Sequence, residues 1–157
     1  MGNMNNSFDL TPRKVCVVGL GKHGLRLLTK LVSIPDKWAV VSVVDASVAA
    51  WARFKSIHYE RNISYYRNVD AALDAEDVDV VIVSTTAPSH VSIAKQVISH
   101  GACDRILVEK PISNSICEAH NLNRYIEEKN WQGTIGFDFN RRCSDLYSEV
   151  YRIIHSG

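Results

Sequence analysis

Short apolar runs recur along the chain and are separated by polar stretches of helical length. Runs such as residues 15–18 and 80–83 are dominated by β-branched residues, which suits strands buried on both faces of a parallel sheet. The other runs are similarly short and are bounded by polar or turn residues. The pattern predicts six strands, at residues 15–18, 38–45, 63–66, 78–84, 105–108 and 134–139.

The segments between these runs carry helix start and stop signals. Ser89 is predicted to cap a helix that continues to His100 and stops at Gly101. Ser115 and Glu118 have the spacing of a capping box, which predicts a helix from there to about residue 130. Further helices are predicted directly after the first strand and over residues 47–56, 70–75 and 144–155.

Strands that alternate with helices favour an α/β fold with a doubly wound parallel sheet. Right-handed crossovers leave few other topologies, so we expect the strand order 3-2-1-4-5-6 in a single domain. Ligands of such sheets bind at the carboxyl ends of the strands, where the order reverses. Five stretches with chemically useful side chains follow strand ends and are expected to converge there, namely residues 19–24, 45, 84–90, 109–111 and 137–142.

Composition supports one globular domain of 157 residues, with 46% hydrophobic and 22% charged residues. We expect residues 1–12 to form a flexible leader and residues 13–157 the domain. The net charge of +1 indicates no nucleic-acid partner, and no apolar run is long enough to span a membrane. The four cysteines show no paired spacing, which predicts neither a metal site nor a disulfide and favours a cytoplasmic location.

The first predicted turn contains three glycines in G-x-G-x-x-G spacing. Gly19 allows a tight turn from strand to helix, Gly21 lets a pyrophosphate approach the backbone, and Gly24 lets the helix pack close to the strand. The spacing alone is a weak signal, but here a predicted strand precedes it and a predicted helix follows it. It therefore predicts a dinucleotide site.

Asp45 ends the second predicted strand, 21 residues after Gly24, which is close to the spacing expected for an acid that binds the adenosine ribose. A carboxylate there accepts hydrogen bonds from both ribose hydroxyls and repels a 2′-phosphate, which favours NAD over NADP. Arg53 could bind a 2′-phosphate, but it lies a helix away from the strand end. The alternative is that Asp45 only caps the helix that begins near Ser47.

Four motifs occur in order along the chain: G-L-G-K-H-G at 19–24, S-T-T-A-P-S-H at 84–90, V-E-K-P at 108–111 and G-F-D-F-N-R-R at 136–142. Together they resemble the Gfo/Idh/MocA oxidoreductases, from about residue 13 to residue 157. The most specific element is the triplet at 109–111. The resemblance implies an NAD(P)-binding Rossmann domain of an enzyme that transfers hydride between its cofactor and a sugar, polyol or related hydroxyl or keto substrate.

The resemblance also implies which residues contact the cofactor in addition to the glycines and Asp45. Two would lie near the pyrophosphate, and the others would lie near the nicotinamide half. The family usually has proline at the position of Thr86, so the backbone contacts there are expected to differ. The alternative for His90 is a histidine at the rim with no chemical role. The residues implied are Lys22, His23, Ser84, Thr85, Thr86, His90, Glu109, Lys110, Pro111, Asn140 and Arg142.

The triplet Glu109-Lys110-Pro111 carries the reaction chemistry that the resemblance implies. Glu109 would face the nicotinamide ribose, and Lys110 would be the catalytic residue that hydrogen-bonds the reacting hydroxyl. A cis bond before Pro111 would aim the lysine. An ammonium group next to a carbinol stabilises the developing alkoxide. The alternative is an exposed loop lysine with Glu109 as its surface partner.

Members of this family carry a second α/β domain that supplies most substrate contacts, and we expect that domain to be absent from this chain. Three hypotheses follow. The chain is the cofactor domain of a dehydrogenase and is incomplete for catalysis alone, with a possible homo-oligomeric state. Alternatively, it is a stand-alone NAD(H)-binding sensor or structural module. In the third, it is one subunit of a split dehydrogenase whose partner chain supplies the missing domain.

Overall fold

The computed structural model describes residues 11–57 and 62–138, together with Arg152. It contains a six-stranded, entirely parallel sheet in the order β3-β2-β1-β4-β5-β6, which confirms the predicted fold class and strand order. The strands are β1 (Arg13–Val18), β2 (Trp38–Val44), β3 (Ser64–Tyr66), β4 (Val80–Val83), β5 (Arg105–Glu109) and β6 (Thr134–Asp138).

Five helices connect these strands in the described part of the chain. They are α1 (Lys22–Val32), α2 (Val48–Ile57), α3 (Val69–Ala75), α4 (Ala87–His100) and α5 (Ile116–Glu128). The predicted leader falls almost entirely outside the described residues, as do Phe139 at the end of the sixth predicted strand and nearly all of the predicted helix over 144–155. None of the described helices is long and apolar enough to cross a membrane.

The central strand β1 divides the hydrophobic core into two layers. Cys16 and Val18 belong to the layer that α3, α4 and α5 cover, whereas Val15 and Val17 belong to the layer that α1 and α2 cover. All four side chains are at most 3% exposed. Successive side chains of a strand point to opposite faces, so a strand covered on both sides must be apolar at every position. This is why the pattern at residues 15–18 is continuous rather than alternating.

The described cysteines are free thiols. Burial raises the pKa of the Cys16 thiol to about 11 and also raises the pKa of Cys103. Both groups therefore stay protonated at neutral pH and act as small apolar side chains of the core. Cys117 is exposed, and Cys143 lies outside the described residues.

One predicted helix start and one predicted side-chain cap differ from the structure. Helix α4 begins at Ala87 with Thr86 as its capping residue, so Ser89 lies inside the first turn and does not cap it. Pro88 explains the earlier start, because proline lacks the N–H that the first turn of a helix leaves unpaired. Ser115 does precede α5, but its side chain makes no capping hydrogen bond. The Ser113 hydroxyl instead donates to Glu118 and accepts from the Ser115 N–H at 3.0 Å.

Candidate functional site

Backbone hydrogen bonds tie together the connections that leave the carboxyl ends of the central strands. The Gly19 N–H donates to Val44 O at 2.7 Å, and the Ser84 N–H donates to Val18 O at 2.8 Å. On the other side, the Asp45 N–H donates to Tyr66 O at 3.1 Å. The turns after β1, β2 and β4 therefore start from fixed positions at the point where the strand order reverses.

The turn between β1 and α1 accepts only glycine at two of its three glycine positions. Gly19 has φ +98°, and a Cβ there would lie 2.7 Å from Ser84 O. A Cβ on Gly24 would lie 1.8 Å from Gly19 O, which is far inside van der Waals contact. Gly21 differs, because its backbone is extended with φ −66° and a Cβ would meet no atom within 4 Å. The backbone of Gly21 therefore lies open to the cleft that it lines.

Asp45 connects the second strand to this turn through its carboxylate. Oδ2 accepts from the Leu20 N–H and Oδ1 accepts from the Ser47 N–H, each at 2.7 Å. Helix α2 begins only at Val48, and the Ala50 N–H approaches Ser47 Oγ at 3.4 Å. Ser47, and not Asp45, thus holds the capping position, and the acid instead spans from α2 to the glycine turn.

Two cavities adjoin at these strand ends. A cleft of about 330 Å³ lies between the β1–α1 turn and the β4–α4 turn, and a cavity of about 360 Å³ lies on the β2–β3 side. Both include Gly19, Asp45 and Thr85 in their walls. The first is lined by Gly19, Gly21, Lys22, His23, Asp45, Ser84, Thr85 and Thr86.

Part of the wall of the second cavity was not predicted from the sequence. Arg67 and Asn68, directly after β3, and Ile93 and Gln96 on α4 contribute to its wall. The position of Arg67 and Asn68 after a predicted strand was the available signal, because every strand end of the sheet points to the same edge. Ile93 and Gln96 gave no such signal, since they lie inside a helix.

Two observations indicate that the cleft suits a polar, phosphate-bearing ligand. The Ser84 side chain is 5% exposed, lines the cleft, and its Oγ has no hydrogen-bond partner among the described residues. A buried hydroxyl without a partner is costly, and a ligand oxygen would satisfy it. The bare backbone at Gly21 also stands at the N-terminus of α1, where amide N–H groups and the helix dipole favour an anion. The residues present fit a dinucleotide.

Glu109 makes a contact that the sequence did not indicate. The side chain is 10% exposed, and its Oε1 lies 3.0 Å from His23 Nδ1 of the glycine turn. The second oxygen, Oε2, accepts from the Lys110 N–H at 3.2 Å. The carboxylate therefore joins the end of β5 to the turn after β1 and is not the surface partner of the Lys110 ammonium.

Lys110 and Pro111 follow at the surface of the same strand end. The peptide bond between them is cis, as the sequence analysis expected, and the Lys110 side chain is exposed. Pro111 O lies 2.8 Å from Nδ1 of His90, whose ring is 1% exposed. His90 thus lies behind the cleft wall rather than at its rim. Asn140 and Arg142 lie outside the described residues, so their predicted roles stay predictions.

The threonines at the end of β4 are arranged by Ser89. Its hydroxyl lies 2.8 Å from Thr85 Oγ1 and also 2.8 Å from Thr86 O. Within residues 11–57 and 62–138 the structure shows no group of three or more His, Cys, Asp or Glu side chains that could hold a metal ion.

A parallel, doubly wound sheet with a glycine turn and an acid at the next strand end defines a dinucleotide-binding domain of the Rossmann class. The chain belongs to the Gfo/Idh/MocA oxidoreductase family, which has an NAD-binding Rossmann fold; the match covers residues 13–137. This confirms the resemblance that the motifs indicated, and the fold of this family is an NAD-binding one.

Similar proteins are longer than this chain. It is 27% identical over 146 residues to inositol 2-dehydrogenase of Burkholderia multivorans. The aligned region covers 92% of this chain and 42% of the relative. It is 26% identical over 144 residues to the oxidoreductase YhhX of Escherichia coli, covering 89% of this chain and 39% of the relative. The chain therefore spans about two fifths of the length of these relatives.

Solved structures give the same picture. GenD2 from gentamicin A biosynthesis, in complex with NAD, has a TM-score of 0.76 at 26% identity, covering 98% of this chain and 42% of that one. Myo-inositol dehydrogenase from Lactobacillus casei, in complex with NAD(H) and myo-inositol, has a TM-score of 0.81 at 22% identity, covering 93% and 42%. The second likeness shows the fold alone.

Proposed function

We propose that the described domain binds NAD in the cleft at Gly19–Gly24 and that it serves hydride transfer to or from a sugar, polyol or related hydroxyl compound. The observation that carries the proposal is the cleft itself, which has bare backbone at Gly21, an unpartnered hydroxyl at Ser84 and an acid at Asp45. The substrate class is supported by the likeness to an inositol 2-dehydrogenase, of which the chain spans 42%.

Different residues of the cleft would bind the pyrophosphate and the ribose of the dinucleotide. The N-terminus of α1 and the exposed Lys22 favour the negative charge of a pyrophosphate. Asp45 keeps lone pairs for ribose hydroxyls, because each carboxylate oxygen holds only one backbone N–H in the structure. Ser84 supplies one further hydroxyl. The same negative charge at Asp45 disfavours a 2′-phosphate.

Lys110 is the proposed catalytic residue. It follows β5 directly and is exposed toward the solvent at the edge where the strand ends meet. When bound, NAD would supply the hydride acceptor, and the ammonium of Lys110 would hold the substrate oxygen and stabilise its negative charge while the hydroxyl proton passes to solvent water. We expect the substrate to be held partly by groups other than those of residues 11–57 and 62–138.

Calorimetric titration of the purified chain with NADH and, separately, NADPH tests the cofactor assignment. We expect NADH to bind at least about tenfold more tightly, because a carboxylate next to a 2′-phosphate costs about 1.4 kcal/mol or more. Tighter binding of NADPH would contradict the role of Asp45. If neither dinucleotide binds, the proposal that this chain by itself forms a dinucleotide-binding cleft is contradicted.

Lys110→Met tests whether the lysine acts on substrate or on cofactor. We expect the dissociation constant of NADH to change by less than about twofold, while any polyol-dependent reduction of NAD is lost, because the ammonium acts on charge that develops in the transition state. Lys37→Met is the matched control, since this exposed lysine lies before β2 at the opposite end of the sheet. A large loss of NADH affinity in Lys110→Met alone would instead make the lysine a cofactor-binding residue.

The two alternative hypotheses give different results in the same assays. A sensor or structural module binds NADH reversibly but neither oxidises nor reduces any polyol. A subunit of a split dehydrogenase gains activity when a second chain is added. Hydride transfer as the function of the domain gains support if polyol oxidation is lost in the Lys110 variant, whether the active sample is the chain alone or the chain with a partner.

A further inference from the structure

His90 has an uncommon environment for a histidine, because its buried ring faces two backbone carbonyl oxygens. Nδ1 lies 2.8 Å from Pro111 O, and Nε2 lies 3.0 Å from Thr85 O. Both distances are within the normal range of hydrogen bonds. Since the ring is 1% exposed, water has little access to either nitrogen. The ring therefore connects the segment after β5 to the segment after β4.

The two hydrogen-bond partners of the ring indicate how many of its nitrogens carry a hydrogen. A carbonyl oxygen can only accept a hydrogen bond, and a neutral imidazole has one N–H. A neutral ring would donate to one carbonyl and direct a lone pair at the other, which leaves a buried repulsive contact. A ring with hydrogen on both nitrogens is an imidazolium cation, which donates to both carbonyls and is stabilised in the core by the negative ends of their dipoles. The geometry favours the second arrangement.

The charged neighbours on the connected segments are few. On the β4 side, the residues around Thr85 are the neutral Ser84, Thr86 and Ser89. On the β5 side, Glu109 lies two residues before Pro111 and Lys110 lies directly before it. Glu109 is buried, whereas Lys110 is exposed. Glu109 in turn contacts His23 of the glycine turn.

We propose that His90 is a positioning residue that carries hydrogen on both ring nitrogens and clamps Thr85 O and Pro111 O. Thr85 forms part of the wall of both cavities, and Pro111 follows the proposed catalytic lysine. The clamp therefore fixes the distance between the cofactor cleft and Lys110. Its effect on hydride transfer rests on the proposed function, but the hydrogen count and the clamp do not.

The hydrogen count is measured by long-range ¹H–¹⁵N correlation of the histidine rings in the ¹⁵N-labelled chain at neutral pH. We expect both nitrogens of His90 to give the signal of a protonated nitrogen, with N–H hydrogens that exchange slowly. The exposed His120 provides a reference ring in the same spectrum. An unprotonated signal at either nitrogen of His90 would overturn the proposal, whatever the chain binds.

The positioning role is measured by NADH titration of three variants. His90→Leu removes both donors, whereas His90→Asn keeps a donor near the Nδ1 position and His90→Gln keeps one near the Nε2 position. We expect the NADH dissociation constant to rise at least tenfold in the leucine variant and by less in the other two. His100→Gln, on the same helix but paired with the exposed Asp74, should bind as the wild type does.

Each outcome of the titration bears on one of the two proposals. NADH affinity equal to wild type in His90→Leu would overturn the positioning role. If that variant does not fold, wild-type affinity in both the asparagine and glutamine variants would overturn it in the same way. If the wild-type chain itself binds no NADH, the proposed function fails, and the spectrum of the ring still decides whether the clamp exists.

Discussion

Gly24→Ala is expected to lower the free energy of unfolding by about 3 kcal/mol or more, which is a large share of the stability of an ordinary domain. The added methyl group would lie 1.8 Å from Gly19 O, and this oxygen belongs to a turn that backbone hydrogen bonds hold to β2. The helix must therefore move away from the strand end. Urea unfolding followed by circular dichroism measures the loss.

Gly21→Ala is the matched control for this substitution. The change is the same in chemistry and lies three residues earlier, but the new Cβ meets no atom within 4 Å and the backbone angles suit alanine. We expect its stability to stay within about 0.5 kcal/mol of wild type. Because the methyl group faces the cleft, NADH affinity should fall. Equal stability of the two variants would contradict the close packing described for Gly24.

Asp45→Ala is expected to weaken NADH binding by about 10- to 100-fold, the usual effect of losing hydrogen bonds to a charged acceptor. The variant should also lose about 1–3 kcal/mol of stability, because the amides of Leu20 and Ser47 lose their acceptor. Calorimetry and urea unfolding separate these two effects. NADH affinity that stays unchanged would contradict the ribose assignment.

Asp45→Asn and Asp36→Ala serve as controls for the acid. The asparagine keeps one acceptor oxygen but no charge, so it should retain part of the NADH affinity and reduce the preference over NADPH. Asp36 is exposed and lies before β2, far from the strand ends that form the cleft, and its loss should change neither binding nor stability measurably. An equal effect of both alanine substitutions would point to net charge rather than to a specific contact.

The parts of the fold that depend on local pattern could be predicted from the sequence. The continuous apolar run at β1 reports burial on both faces, and Gly101 directly follows the observed end of α4. The alternation of strands and helices then leaves one common topology, so the approach of Gly19 to Asp45 followed from strand order alone.

Contacts that depend on side-chain reach could not be predicted in this way. His23 and Glu109 are 86 residues apart in the chain, and nothing in either local pattern marks them as partners. His90 was predicted to contact the cofactor, with a position at the rim as the alternative, because it follows a strand end; the return of the segment at Pro111 covers it. At α5, Ser115 and Ser113 offer similar hydroxyl groups, and only the path of the chain decides that Ser113 meets Glu118.

The two acids of the site are already ordered before any ligand arrives. Asp45 is held by the N–H groups of Leu20 and Ser47, and Glu109 by the N–H of Lys110 and the ring of His23. Immobilising a side chain costs about 0.5–1.5 kcal/mol when it happens on binding. Here that entropy is lost during folding, so the site is preorganised. A dinucleotide would meet two carboxylates whose rotamers are already fixed, and its affinity would depend mainly on the fit of its own conformation.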